Sequence, residues 1–136
     1  MKIFYKTRAT AIGGRTGHAA LDDGSLAFDL AAPDTGKVGA NPEQLFAIGY
    51  AACFDNAIKH VAEKQKLTLT GSKTSAEVGI GQNKEGGFSL DVDLYVAILG
   101  LSEADAGRLV EATHLVCPYS NALRGNVDVR LHVTTA

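Results

Sequence analysis

Cysteine is scarce in this chain of 136 residues, which carries two, Cys53 and Cys117. Two are too few for a disulfide-stapled secreted scaffold, and without histidines at ligand spacing beside them they do not describe a zinc site. Charge excess is missing too: 13 Lys and Arg stand against 15 Asp and Glu, a formal net charge of −2, with no basic cluster and no interleaved aromatic platform. That balance argues against nucleic acid as a partner. Long apolar runs are absent as well. The longest, around Leu45 to Phe54, falls well short of the roughly 20 residues that span a bilayer, and the opening "MKIFYKTRATAIGG" lacks the apolar centre of a signal peptide. The expectation is a cytoplasmic protein with no membrane partner. A hydrophobic content of 46% supplies a real core, and the length favours a single domain over residues 1–136.

What is present reads as strands, a long helix, strands, a helix and a strand, without repeats or low-complexity tracts. Residues 2–11, 17–22 and 25–31 are strand-like and separated by the turn signals "GGRTG" and "DDG", which predicts a small antiparallel meander. Asn41 as N-cap, Pro42 at the first helical position, and Glu43 and Gln44 in the first turn mark the start of a helix expected to run to about Lys64. Its apolar residues cover most of its circumference through three turns, the pattern of a helix buried on nearly all sides. Residues 72–80 and 87–98 form a hairpin through "GQNKEGG", with Phe88, Leu90, Val92, Leu94 and Val96 on the core face. Ser102 caps a second helix that stops near Cys117, because Pro118 disfavours helical geometry in the residue before it. Val127, Val129, Leu131 and Val133 alternate inward on a last strand. The fold class is α+β, antiparallel sheets around a long central helix. So short a chain has little material to cover such a helix, which points to a partner subunit.

Few residues carry an obvious chemistry. Cys53 lies about three turns into its helix, too far from the positive end for the dipole to activate it. Close packing and redox chemistry both remain open for it. Cys117 sits at a helix end before a proline turn, where it can approach another element. A Cys53–Cys117 disulfide is open geometrically and is not required by the sequence. Arg15, flanked by glycines in "GGRTG", is not part of a phosphate loop. Glu43 has a sufficient structural role near a helix N-terminus. The four histidines, His18, His60, His114 and His132, have no spacing that suggests a metal or a triad.

Taken together, "NPEQLFAIGYAACF" (41–54), "VCPYSNA" (116–122) and the glycine-flanked Arg15 closely resemble the organic hydroperoxide resistance (Ohr) branch of the OsmC superfamily, over nearly the whole chain. Leu123 stands where the resemblance leads one to expect threonine. The resemblance implies a cytoplasmic, thiol-dependent peroxidase acting on organic, fatty-acid-like hydroperoxides, built as an intertwined homodimer and re-reduced by a dihydrolipoyl-bearing protein. It implies no metal and no cofactor. Carried over by position, Cys53 matches the peroxidatic cysteine, Cys117 the resolving cysteine, and Arg15 and Glu43 the charged pair that serves the thiolate.

The chemistry suits these residue types. A thiolate attacks one oxygen of the O–O bond, so the site needs an ionised sulfur and a cation near the departing alkoxide; a fixed guanidinium serves both needs. Glu43 would hold that guanidinium in a two-point ion pair. Residues 43 and 53 of one helix are about 15 Å apart along its axis, so Arg15 and Glu43 are expected to reach a given Cys53 from the second subunit. Phe46, Tyr50 and Phe54 are the expected lining of an alkyl pocket. Two alternatives stay open: a general OsmC-type peroxidase, and a non-catalytic dimeric module whose cysteines are merely packed.

Overall fold

The computed structural model describes all residues, Met1–Ala136. The chain divides into two compact units, Met1–Leu45 and Phe46–Ala136.

The first unit is an antiparallel meander of β1 (Ala9–Ile12), β2 (His18–Leu21) and β3 (Ala27–Asp29) in that order. The β1–β2 connection needs glycine: Gly13 and Gly14 have φ of 84° and 59°, and a Cβ on Gly17 would lie 1.8 Å from the Ile12 carbonyl oxygen. The expected first strand is shorter than its sequence suggests. β1 starts at Ala9, since β2 offers only four residues to pair with, and Ile3, Phe4 and Tyr5 are left exposed. After β3 the chain is clasped by bonds from the Ala31 amide to the Ala40 carbonyl (3.0 Å) and from the Ala40 amide to the Asp29 carbonyl (2.9 Å).

Helix α1 spans Pro42–Lys64. Its start is a reciprocal capping box, in which the Gln44 amide donates to Asn41 Oδ1 (2.8 Å) and the Asn41 amide to Gln44 Oε1 (3.0 Å), satisfying two amides the helix itself leaves unpaired. Its buried residues Tyr50, Phe54, Ala57, Ile58, Val61 and Ala62 recur at intervals of three and four and form one stripe. Burial on nearly all sides is therefore not what one chain provides: Ile48 on the opposite side is 67% exposed.

The second unit also holds β4 (Gly71–Gln82), β5 (Phe88–Leu99), α2 (Glu103–Val116), α3 (Pro118–Leu123) and β6 (Val129–Thr135). β4 and β5 form the expected hairpin, in register from Gly71↔Leu99 to Gln82↔Phe88. Val92, Leu94, Val96 and Ile98 of β5 are buried with the α1 stripe and with Ala106, Leu109 and Val110 of α2. Phe88, expected inside, is 75% exposed because it sits at the far tip of the hairpin. One pairing is not antiparallel: β6 joins β5 in parallel, Val92↔Val129 through Ile98↔Thr135. The reason is α2, which makes the β5–β6 link a crossover instead of a hairpin. Ser102 Oγ accepts from the Asp105 amide and caps α2. At its other end Cys117 is extended (φ −59°, ψ 125°), as the following proline requires. Pro118 then opens α3, a short helix that the alternation of the sequence did not reveal.

Truncating Phe54 to alanine removes a fully buried ring and is expected to cost about 3–5 kcal/mol, read as a lowered urea midpoint with an unchanged m-value.

Candidate functional site

In the first unit the sequence brings two of the candidate residues together. Arg15 lies in a short 3₁₀ turn, Gly14–Thr16, and Glu43 in the first turn of α1. Arg15 donates twice, Nη1 to Glu43 Oε2 and Nη2 to Oε1, each at 2.6 Å. This fork-to-fork geometry fixes the plane of the guanidinium as well as its position. The Arg15 side chain stays 42% exposed while that of Glu43 is only 13% exposed, so the arginine keeps an open side that its carboxylate partner lacks. The ion pair holds the Glu43 carboxyl below its ordinary range and the guanidinium above its own.

The other two candidates face each other in the second unit. Cys53 on α1 is half-buried and Cys117, between α2 and α3, is fully buried; both thiols are free. The neighbouring Cys117 sulfur and the Tyr119 backbone N–H both bear on the ionisation of the Cys53 thiol. Burial first, and then Cys117, push the Cys53 thiol above its ordinary pKa, with the Tyr119 amide pulling the other way. The immediate surroundings thus favour a protonated Cys53.

Gly49 is what allows this approach. A Cβ there would lie 2.5 Å from the Tyr119 hydroxyl oxygen. In the space left free, the Tyr119 ring stacks on Tyr50 (centroids 5.5 Å, 25°) and meets Phe46 edge-on at 5.6 Å. Beside it opens a recess of about 330 Å³ lined by Phe46, Pro118, Tyr119, Ala122 and Leu123. Of the three aromatics expected to line an alkyl pocket, Phe46 borders this recess. Tyr50 and Phe54 do not: both are fully buried in the core, Tyr50 beneath the Tyr119 ring with its phenol on Ser120 and Phe54 one turn further along the same buried stripe. Tyr119 and Leu123 take their place. No periodicity announced them: α3 is six residues long, and only once it is formed do residues 119, 122 and 123 fall on one side.

The histidines also separate. His132 stacks on Tyr95 at 4.5 Å and meets Asp93 at 2.8 Å, on the outer sheet face where Arg130 binds Asp91 and Asp93. His114, by contrast, is part-buried, with Nδ1 2.8 Å from Ser120 Oγ.

Comparison with known proteins gives a consistent result. The family model of OsmC-like proteins matches residues 34–132. The organic hydroperoxide resistance protein of Xanthomonas axonopodis pv. citri is 49% identical over 135 residues, 96% of this chain and 94% of the relative. The organic hydroperoxide resistance protein OhrB of Bacillus subtilis is 45% identical over 133 residues, 95% of this chain and 97% of its own; its crystal structure superposes with a TM-score of 0.91 over 97% of this chain and 100% of that one. A crystal structure of an organic hydroperoxide resistance protein from Legionella pneumophila, 50% identical, superposes with a TM-score of 0.93 over 98% and 99% of the two chains. No helix is long and apolar enough to cross a membrane.

Two measurements check the geometry. Gly49→Ala is expected to displace the Tyr119 ring and cost about 1–3 kcal/mol, seen as a lower melting temperature with altered near-ultraviolet tyrosine signal. By carboxyl carbon NMR, Glu43 is expected to titrate below the ordinary glutamate range and to return to it in Arg15→Ala. The lowered folded value means that the ion pair is fully present above the ordinary range and is lost as pH falls through the depressed one.

Proposed function

The chain belongs to the OsmC family, in its organic hydroperoxide resistance branch, and on that premise we propose how its cysteines and its arginine–glutamate pair act. The protein detoxifies organic hydroperoxides. The proposed route is that of a cysteine-based peroxidase. The Cys53 thiolate attacks the terminal oxygen of R–O–O–H, the O–O bond breaks, and the alkoxide takes a proton and leaves as an alcohol. Cys53 then carries a sulfenic acid, which Cys117 converts to a disulfide before irreversible oxidation intervenes. An external dithiol, a dihydrolipoyl group being the chemistry proposed, reopens the bridge.

The observation that carries this reading is the nearness of a half-exposed Cys53 to a fully buried Cys117, beside an apolar recess lined by Phe46, Tyr119 and Leu123. That recess suits an alkyl tail, each buried methylene contributing roughly 0.8 kcal/mol. Hydrogen peroxide would gain nothing from it.

Burial holds the Cys53 thiol up, so the reaction needs a cation. The Arg15 guanidinium, aligned by Glu43 and still partly open, is the group proposed to stabilise the thiolate and then the departing oxygen. Because residues 43 and 53 are about 15 Å apart along one helix, the pair is proposed to come from a second copy of the chain. The exposed Ile48 of α1 and the unpaired segment holding Ile3, Phe4 and Tyr5 are the apolar surfaces such a copy would cover.

Thiol titration before and after one equivalent of cumene hydroperoxide tests the reading. Wild type is expected to lose two thiols, Cys117→Ser to accumulate an oxidised, unbridged Cys53, and Cys53→Ser not to react. Arg15→Ala is expected to slow the first step by about 10²–10³. Survival of both wild-type thiols would reduce the cysteines to packing atoms.

A further inference from the structure

The helix that follows Cys117 is too short to hold itself in place. α3 has six residues, and helices of that length do not persist in water on their own backbone bonds. Side chains anchor it. Ser120, its one buried residue, meets polar atoms of two other helices: the Tyr50 phenol oxygen of α1 at 2.7 Å and His114 Nδ1 of α2 at 2.8 Å. Arg124, just beyond α3, donates to Asn121 Oδ1 and to the His114 carbonyl oxygen. Cys117 belongs to the same piece, since its carbonyl accepts from the Asn121 amide (2.9 Å). Where Ser120 docks therefore sets where Cys117 stands.

The hydrogen bonds of Ser120 have a direction. A phenol and an alcohol each have one proton to give. Tyr50 is fully buried and its hydroxyl meets Ser120 Oγ alone, so the phenol proton points there. The Ser120 proton is then left for His114 Nδ1, which must be a bare ring nitrogen: the imidazole is neutral, with its proton on Nε2. A second proton on the ring lands on Nδ1 and turns that atom into a donor. Nδ1–H and the two hydroxyls then bring three protons to two hydrogen bonds, and one buried O–H, that of Ser120 or of Tyr50, has no acceptor. Leaving a buried donor unpaired is costly.

We infer that His114 is a positioning residue for the segment that carries Cys117: neutral, it accepts from Ser120 and locks residues 117–123 against α1, and on protonation it releases them. The bearing of this lock on catalysis rests on the peroxidase reading above. With the segment docked, the Cys117 thiol neighbours the sulfur it must join. The S–S bond forms as the S–O bond of the Cys53 sulfenic acid breaks, and the hydroxide departs with the thiol proton as water, without further oxidant. With the segment released, closure waits for its return.

The surroundings agree with the role. Burial and then Arg124 hold His114 below its ordinary value, so the lock is closed near neutral pH. Burial above all holds the Tyr50 phenol above its ordinary range, so its proton stays and has to be placed. Among the charged groups on the surrounding elements, Arg124 follows α3 and Glu111 lies one turn earlier on α2. Asp55 of α1 is engaged by Ser72 and Thr74, and Arg130 and His132 of β6 bind Asp91 and Asp93. The neighbouring thiols are Cys53 and Cys117. Because the docked ring resists protonation and the released ring does not, the docked form loses ground as pH falls below roughly 6.5, the ordinary histidine value.

The test is native-state hydrogen exchange of the reduced protein, followed by NMR across pH, each amide rate being divided by that of the unstructured chain at the same pH. The Asn121 and Arg124 amides, bonded to Cys117 and Ser120, are expected to lose about tenfold or more of their protection on acidification through that range. The Thr70 amide, bonded to Leu99 in the sheet, is expected to keep its own. His114→Asn puts a carboxamide oxygen near the Nδ1 position, which accepts from Ser120 and cannot titrate. Its protection is expected to stay at the neutral-pH level with no acidic limb. Ser120→Ala is expected to leave both amides weakly protected at every pH. A wild type without the limb, or a His114→Asn variant that retains it, would overturn the lock. Disulfide closure after one equivalent of cumene hydroperoxide is read in the same proteins, and is expected to slow on acidification more steeply in wild type than in His114→Asn. If wild type closes no disulfide, the peroxidase reading fails while the exchange profiles still decide the lock; if it closes one and the two exchange profiles coincide, the lock alone is wrong.

Discussion

The close approach of the segment from Cys117 to Leu123 against the middle of α1 is the constraint on which the rest of the site depends. It exists because position 49 has no side chain: a Cβ there would meet the Tyr119 hydroxyl oxygen at 2.5 Å. Once the two segments touch, helix geometry repeats the contact at intervals of three. Cys53 faces Cys117 on one rung and Tyr50 meets Ser120 on the other. Each buried hydroxyl in this seam has a partner, and no buried side-chain polar atom is left unpaired. Losing one partner would expose the other to a desolvation cost of about 1–3 kcal/mol. The seam therefore tolerates little slack, as a disulfide between two specified sulfurs requires.

Local chemistry made several elements legible in the sequence. The Asn41–Gln44 box, the Ser102 cap, the hairpin turn around Asn83 and the stop before Pro118 each follow from side chains that act on their own backbone, and each is in the structure. The cysteines were legible as candidates through the motifs around them. What stayed hidden depends on contacts between distant residues. The parallel seat of β6 follows from how α2 packs, not from the alternation of Val127 to Val133, which is the same in either direction. The lining of the recess comes from Tyr119 and Leu123 on a six-residue helix, too short for any periodicity to announce. The apolar circumference of α1 predicts burial on nearly all sides, whereas within one chain the covered residues form a single stripe.

Sulfur and charge are handled differently in this chain. The thiol is placed where burial first, and then Cys117, favour its protonated form, while the arginine is aligned by its own carboxylate in a separate unit and keeps part of its surface open. Separating the two tasks lets each be optimised by local contacts: apolar burial that suits a tail, and a fork geometry that suits an anion. On the proposed reading, activation is a matter of assembly, because the thiol would turn reactive only where a prepared cation is brought to it.

The crossover that seats β6 beside β5 also bears on biosynthesis. The parallel ladder from Val92 to Ile98 cannot form until α2, α3 and β6 have all been made. A chain still emerging from the ribosome therefore carries Cys53 on its helix without the segment that will oppose it. Until residues 117–123 have been made, Cys53 lies on a helix in an unfinished core, and the sulfur that will neighbour it arrives only with the second half of the fold.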